Sequence, residues 1–331
     1  MRILLIAVIV AAAGWSGYWM ISSRGVENDL RDWLDQRADA GWIAEYGDVS
    51  TQGFPNRFDT TVTDLDLADP ASGIAWTAPF FQLLRLSYQP NHLIAIWPAS
   101  QTIATPQQRI SVQTSDARAS LVFKSGTNHE VERISAVFTD VQLSSTAGWT
   151  ADMPEARLAT RPSDRMLGGI DVALQATNLH PRNAGLDRLA ATDLLPKRLD
   201  LLKFDAALRF DAPWDQAAIE GNRPQVTAMD LRLLQATWGK LDLWAAGDLS
   251  FDDLGRASGS ITIKAKNWQE ILQIGVAAGW VPERFAGTLE SGLSLLSSLA
   301  GSPKTLDAPL SFDKGKVSFG PIKLGTLPPL R

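Results

Sequence analysis

The chain contains no cysteine. Disulfides, cysteine nucleophiles and thiolate-held metals are therefore excluded together, although oxidising and reducing compartments both accept cysteine-free chains. Histidine is nearly as scarce, with only His92, His129 and His180. No G-x-S-x-G, H-E-x-x-H, Walker A or G-x-G-x-x-G pattern occurs. Basic runs are missing too. The 31 lysines and arginines are scattered, never five in succession, and the net charge is −5 with a pI near 5.3. That leaves no basic footprint for nucleic acid. Tyrosine is rare, at 3 residues against 12 tryptophans, a load that suits large apolar surfaces or a membrane interface, with core packing the commoner use.

Three near-motifs have simpler readings. Gly301-Ser302-Pro303-Lys304-Thr305 ends like a phosphate loop, but proline before the lysine blocks close backbone approach, so it reads as a helix stop. His92 comes after Pro90-Asn91 in a turn between apolar strands, with no second histidine nearby and no identifiable nucleophile. Asp64, Asp66 and Asp69 lack a calcium-loop glycine and read as a solvated strand face running into a turn.

At 45% apolar and 20% charged residues, the composition is that of a globular protein. Ile3–Ile21 is free of charge. As a helix it would measure about 28 Å, close to the thickness of a bilayer's hydrocarbon core. Trp15, Tyr18 and Trp19 fall near its far end, where aromatic side chains meet headgroups. Ala11-Ala12-Ala13 offers a rival reading as a signal-peptidase site, but the apolar run continues for eight residues beyond it. The segment 1–22 is thus expected to be a transmembrane anchor, or else a signal. Val26, Leu30, Trp33 and Leu34 then repeat at helical spacing, which predicts a juxtamembrane helix over 23–41, stopped by Gly41.

The remainder, 42–331, reads as a β-rich domain. Trp76, Ala78, Phe80, Leu84, Leu86 and Tyr88 fall on one face of an extended run, and Pro79 implies an edge strand, a bulge or two shorter strands. Leu93–Trp97 is apolar on both faces, which asks for cover on both sides. Alternation is also visible at 119–124, 134–143 and 169–178. It is clearest from 202 to 265, where Leu202, Phe204, Leu208 and Phe210 are succeeded by Met229, Leu231 and Leu233, then Leu241 and Leu243, then Ile261 and Ile263. Asn267 and Glu270 resemble a capping box before a helix carrying Trp268, Ile271, Leu272 and Val276. A second helix is expected after Pro282, with Phe285, Leu289, Leu293 and Leu296 as its stripe, and a hairpin turn at Asp313-Lys314-Gly315. The expected fold class is α+β, mainly β: a long twisted antiparallel meander covered by a C-terminal helical hairpin at 268–300. Repeated Trp-Thr-Ala and Arg-Phe-Asp triplets raise an organisation in two similar halves, about 42–180 and 181–331.

Gly41-Trp42, Gly53-Phe54-Pro55-Asn56-Arg57-Phe58, Trp76-Thr77-Ala78-Pro79 and Tyr88-Gln89-Pro90-Asn91-His92 resemble a bacterial family known as domain of unknown function 2125. The resemblance resumes at Trp238-Gly239, Asp253-x-Gly255, Asn267-Trp268 and Phe319-Gly320-Pro321-Ile322-Lys323-Leu324-Gly325, and extends over nearly the full length. It implies no activity, cofactor or catalytic residue. A single span before a long meander is also similar in architecture to AsmA-like envelope proteins, whose β-grooves are associated with lipids. Architecture alone does not establish function.

The expected protein is a non-enzymatic envelope protein with no cofactor, anchored once in a bacterial inner membrane. A literal count of Arg2 against Arg24, Arg31 and Arg37 would keep the large domain in the cytoplasm. A very short N-terminus with one arginine is, however, the usual start of an export signal, which favours the periplasm. The expected partners are the membrane and either a lipid, taken on the apolar face Leu202, Phe204, Leu208, Phe210, Leu231, Leu241, Leu243, Ile261 and Ile263, or another envelope protein for which the chain is a scaffold. Anchoring predicts that the full chain stays in the membrane fraction through a carbonate wash. A mature form beginning near Gly14 and free in the soluble fraction would instead identify a cleaved signal.

Overall fold

The computed structural model describes residues 1–126, 129–183, 196–221, 223–277, 286–287, 290–294, 297, 305–320 and 322–330. These residues form two compact units, Met1–Ala147 and Gly148–Arg331. The fold is mainly β, and every strand pairing within each unit is antiparallel.

Unit 1 opens with one helix, α1 (Arg2–Asp39), which runs without a break from the apolar segment into the juxtamembrane stripe. No proline occurs before Gly41, where φ is +90° and the helix ends. Nine strands come after it: β1 (Ile43–Glu45), β2 (Val49–Gln52), β3 (Arg57–Asp69), β4 (Ile74–Leu86), β5 (His92–Ile96), β6 (Ser100–Ala104), β7 (Arg109–Gln113), β8 (Asp116–Phe123) and β9 (Val131–Ser145). The long strands β3, β4 and β9 each pair with two short strands end to end. β1 and β2 share one edge of β3, β5 and β6 share β4, and β8 and β7 share β9.

The interruptions line up in a seam across the sheet. Asp64 takes φ +49° in β3, opposite the proline at 79 in β4, and Asp140 takes φ +50° in β9. Aspartate tolerates this left-handed conformation better than most residues, and proline lacks the N–H that a neighbouring strand would require. Across the seam the facing side chains change sides. Trp76 and Phe81, not Phe80, pack on the cluster of Val62 and Leu65, and Phe80 is exposed. The interruption expected from Pro79 is thus present, and beyond it Phe81 takes the packed place expected for Phe80. A row of rings crosses the seam from Trp76 to Phe81 (5.3 Å), Trp97 (5.5 Å) and Phe138 (6.2 Å). In β5, Ala95 is buried but Ile94 is 37% exposed, so the expected cover on both sides is incomplete.

The second half of α1 covers one face of this sheet. Leu34 packs with Val49, Val62 and Leu65, and Leu30 and Trp33 flank them. Polar contacts set the register of helix on sheet. The Thr51 N–H donates to Glu27 (2.7 Å), and Arg31 bonds the Val49 carbonyl while lying beside Glu27 and Asp48. The first half of α1 is bare: Ile3, Leu4, Leu5, Ile6, Val8, Ile9 and Val10 are all exposed.

Unit 2 contains β10 (Thr150–Pro162), β11 (Gly169–Arg182), β12 (Leu199–Phe210), the short α2 (Gln216–Glu220), β13 (Val226–Trp238), β14 (Leu241–Phe251), β15 (Ala257–Lys266), α3 (Trp268–Ala277), β16 (Thr305–Asp313), β17 (Lys316–Phe319) and β18 (Ile322–Thr326). Each strand pairs with the next in sequence, a meander. Gly247 and Gly259 keep β14 and β15 close. A Cβ at either would lie 2.2 Å from a backbone oxygen of the other strand. The turn at Asp313–Gly315 closes β16 on β17 as expected, with Lys314 and Gly315 both at positive φ.

Asn267 departs from the expected capping box. It takes φ +57°, where an N-cap is normally extended, and its side-chain amide donates to the Lys240 carbonyl (2.6 Å). It therefore ties the start of α3 to the β13–β14 turn. Of the second expected helix, Pro282, Phe285, Leu289 and Leu296 lie outside the described residues. Leu293 is helical and packs with Ala265, Trp268 and Leu306.

Leu34 is 2% exposed and central to the contact of α1 with its sheet. Leu34→Ala should lower the stability of unit 1 by about 2–5 kcal/mol, read as a lower thermal midpoint of the full chain in detergent. An unchanged midpoint would show that α1 adds nothing to the fold.

Candidate functional site

The nine apolar side chains expected to share a face come from four adjacent strands, and none is exposed. Leu231, Leu241 and Ile261 are buried, and Leu202, Phe204, Leu208, Phe210, Leu243 and Ile263 are half-buried. They divide into two zones. Leu241 and Leu243 form an end zone under α3, where Ile271 and Ile274 pack on Leu241, and Trp268 and Leu272 join Leu243. Leu231 and Ile261 lie in a middle zone with Ala206, Ala245, Leu249 and Ala257, flanked by Phe204, Leu208 and Ile263. No residue of a described helix joins this middle cluster. Phe210 sits beyond it, edge-on to Trp214 at 5.6 Å.

Register extends the face farther than the periodicity suggests. Directly paired residues in antiparallel strands share a face. Reading across the ladder, Leu158 pairs with Leu174, Leu174 with Phe204, Phe204 with Leu234, Leu234 with Ala245 and Ala245 with Ile263. Two members of this row, Leu174 and Leu234, are 39% and 38% exposed. Leu234 occupies the row because the β12–β13 register shifts between Asp205 and Ala206. The alternation of Met229, Leu231 and Leu233 expected in β13 therefore ends at Leu231, and Leu233 pairs with Asp205 instead. A bulge inserts one residue and reverses the alternation beyond it. The Leu-Leu pair at 233 and 234 is its only trace in the sequence.

The opposite side of the same strands carries an ionic network. The Asp171 carboxylate accepts from Arg232 Nη1 at 3.0 Å and from Arg161 Nε at 3.3 Å, and Arg232 also bonds Asp205. Asp171 is buried, and Arg232 is the bulged residue of β13. Burial works against the charge on Asp171, but hydrogen bonds from Ser163, Arg232 and Arg161 outweigh it and hold the carboxyl below its ordinary range. The network thus clamps β10 to β13 behind the apolar row.

The family to which the chain is similar fits this arrangement without adding chemistry to it. The sequence model of DUF2125, uncharacterized proteins conserved in bacteria, matches residues 19–328. The chain belongs to the DUF2125 family. No curated protein and no solved structure matches it. In this DUF2125 chain the singled-out polar residues have local roles. His92 is half-buried at the start of β5, 2.8 Å from Ser120 Oγ, and is not a free turn residue. Ser120 lies mid-strand opposite Ile94, not in a turn that would present a nucleophile. Asp66 accepts from Thr77, and Asp69 accepts from the Ala71 N–H. His180 Nδ1 lies 3.0 Å from Asp152, which also pairs with Arg198. Gly301–Lys304 lie outside the described residues. Among the described residues, no three acidic or histidine side chains gather as metal ligands.

Because its folded-state pKa is depressed, Asp171 contributes stability that is full above its unfolded value of about 3.9 and is lost as pH falls through the lower folded value. Asp171→Asn should flatten the acid limb of the stability curve. Arg232→Ala should cost about 1–3 kcal/mol at neutral pH, by leaving a buried carboxylate short of a donor. Identical acid limbs in wild type and Asp171→Asn would show that the network does not hold this charge.

Proposed function

We propose that this DUF2125 protein is a non-catalytic envelope protein, held in the bacterial inner membrane by α1 with most of its chain in the periplasm, that binds a lipid or other hydrophobic ligand on the apolar face of unit 2. The observation that carries the reading is the row Leu174–Phe204–Leu234. It is apolar across three adjacent strands, and both of its flanking leucines remain more than a third exposed. A face that served only as core would be expected to withdraw such leucines from water. A hydrophobic ligand laid along the row would cover them and would need no polar anchor.

The bare first half of α1 supports the membrane part of the reading. The whole helix is long and apolar enough to cross a bilayer, and the sheet of unit 1 covers none of its most apolar stretch.

The test is native mass spectrometry and lipid extraction of the full chain purified in detergent, compared with Leu174→Glu and Leu234→Glu. Both positions are exposed, so the fold should tolerate the change. A carboxylate in an apolar contact should weaken ligand retention roughly tenfold or more. Lipid retained equally by all three proteins would reject this face as the site. A protein that co-purifies with wild type and is lost from both variants would show that the row receives an envelope partner and that the chain is a scaffold.

A further inference from the structure

The bare part of α1 is shorter than a bilayer. Contact with the folded unit begins at Trp15, whose indole N–H donates to the Pro55 carbonyl at 2.7 Å. One turn later the Trp19 indole donates to the Arg57 carbonyl at 2.8 Å. Trp19 also packs edge-on to Phe54 (5.6 Å) and stacks on Phe58 (6.0 Å). The helix ahead of these contacts, Arg2–Gly14, measures only about 20 Å, roughly 10 Å less than the hydrocarbon core. The uncharged run that would fill that thickness continues to Ile21, past both tryptophans. A helix that spans with Ile3–Ile21 must therefore carry the turn bonded to Trp15 and Trp19 into the boundary of the leaflet it leaves.

That turn is built for such a position. Phe54 is 56% exposed at its apex, although it is a large apolar side chain. The adjoining β4–β5 turn is tied to it by the Ser87 N–H donating to the Asn56 carbonyl, and carries Tyr88, also mostly exposed. Behind the rings, Arg57 pairs with Asp59 at 2.8 Å, and the Arg85 guanidinium lies 5.5 Å from the centre of the Phe58 ring. Aromatic side chains at the surface with arginines behind them match the layering of a headgroup region.

We propose that the tip of unit 1, the 53–56 turn with Phe54 and the neighbouring turn with Tyr88, is a membrane-inserting surface seated at the headgroup–hydrocarbon boundary beside the exit of α1. The folded unit is then pinned to the bilayer at two points, the helix and the tip, and cannot swing freely about the anchor. The inference rests on α1 being an uncleaved anchor.

The absence of native cysteine makes a direct measurement possible. Single variants Val10→Cys, Asn56→Cys and Gln107→Cys carry a nitroxide in the full chain, reconstituted in vesicles of phosphatidylethanolamine and phosphatidylglycerol. Val10 reports the anchor, Asn56 the tip, and Gln107 the exposed β6–β7 turn at the opposite end of β4. Collision rates with oxygen and with a water-soluble nickel chelate give depth. Insertion predicts that the oxygen-to-nickel ratio at residue 56 is several-fold above that at 107 and approaches that at 10. A high ratio at 10 with equal low ratios at 56 and 107 would overturn the inserted tip and leave the anchor standing. Low ratios at all three positions would overturn the tip and the anchor together. Spin–spin broadening at 56 that vanishes on dilution with unlabelled protein would assign the tip to a second copy of the chain, and also overturn insertion.

Discussion

A β-sheet with one apolar face is stable only if something withdraws that face from water, and the two units meet this requirement by different means. In unit 1 the cover is the second half of α1, which places Leu34 on Val49, Val62 and Leu65. In unit 2, α3 covers the Leu241 and Leu243 end, while among the described residues the middle cluster around Ala206, Leu231 and Ile261 is made of strand residues. The hydrophobic term is proportional to the area removed, whatever element removes it.

The use of α1 as cover joins the fold of unit 1 to a helix long and apolar enough to cross a membrane. One continuous helix is apolar on all sides over its first turns and one-sided afterwards. Trp15 and Trp19 stand at the change and use both halves of their chemistry. Their rings suit an apolar neighbourhood, and their N–H groups satisfy the carbonyls of Pro55 in the turn and Arg57 at the start of β3. The same two residues that read from the sequence as an interfacial belt are thus also the first contacts of the folded domain.

Much of the strand content was legible because alternation with period two has a direct physical cause. The stretches at 134–143 and 169–178 lie within strands, that at 119–124 ends one residue past β8, and the turn at 313–315 closes the expected hairpin. Legibility failed where alternation itself fails. Asp64 in the left-handed region and the extra residue near Arg232 each reverse the facing of the residues beyond them. Phe81 in place of Phe80 thereby reaches the packed face, and Leu234 in place of Leu233 joins the apolar row. Pro79 signals the first interruption, whereas the second has no strong local residue to announce it. Asn267 reads as a cap but is not one, because its backbone is left-handed, a conformation that asparagine adopts as readily as it caps a helix.

The sequence by itself determined the apolar helix, the mainly β class, the antiparallel meander and the absence of familiar catalytic motifs. These depend on composition and on interactions between residues a few positions apart. Only the tertiary structure decided which residues face which. The pairing of Phe204 with Leu174 on one side and Leu234 on the other, the clamp of Asp171 by Arg161 and Arg232, and the hold of Trp15 and Trp19 on the carbonyls of Pro55 and Arg57 join residues 10 to 61 positions apart. Such contacts are fixed by strand register, and one inserted residue is enough to turn every later side chain to the other side.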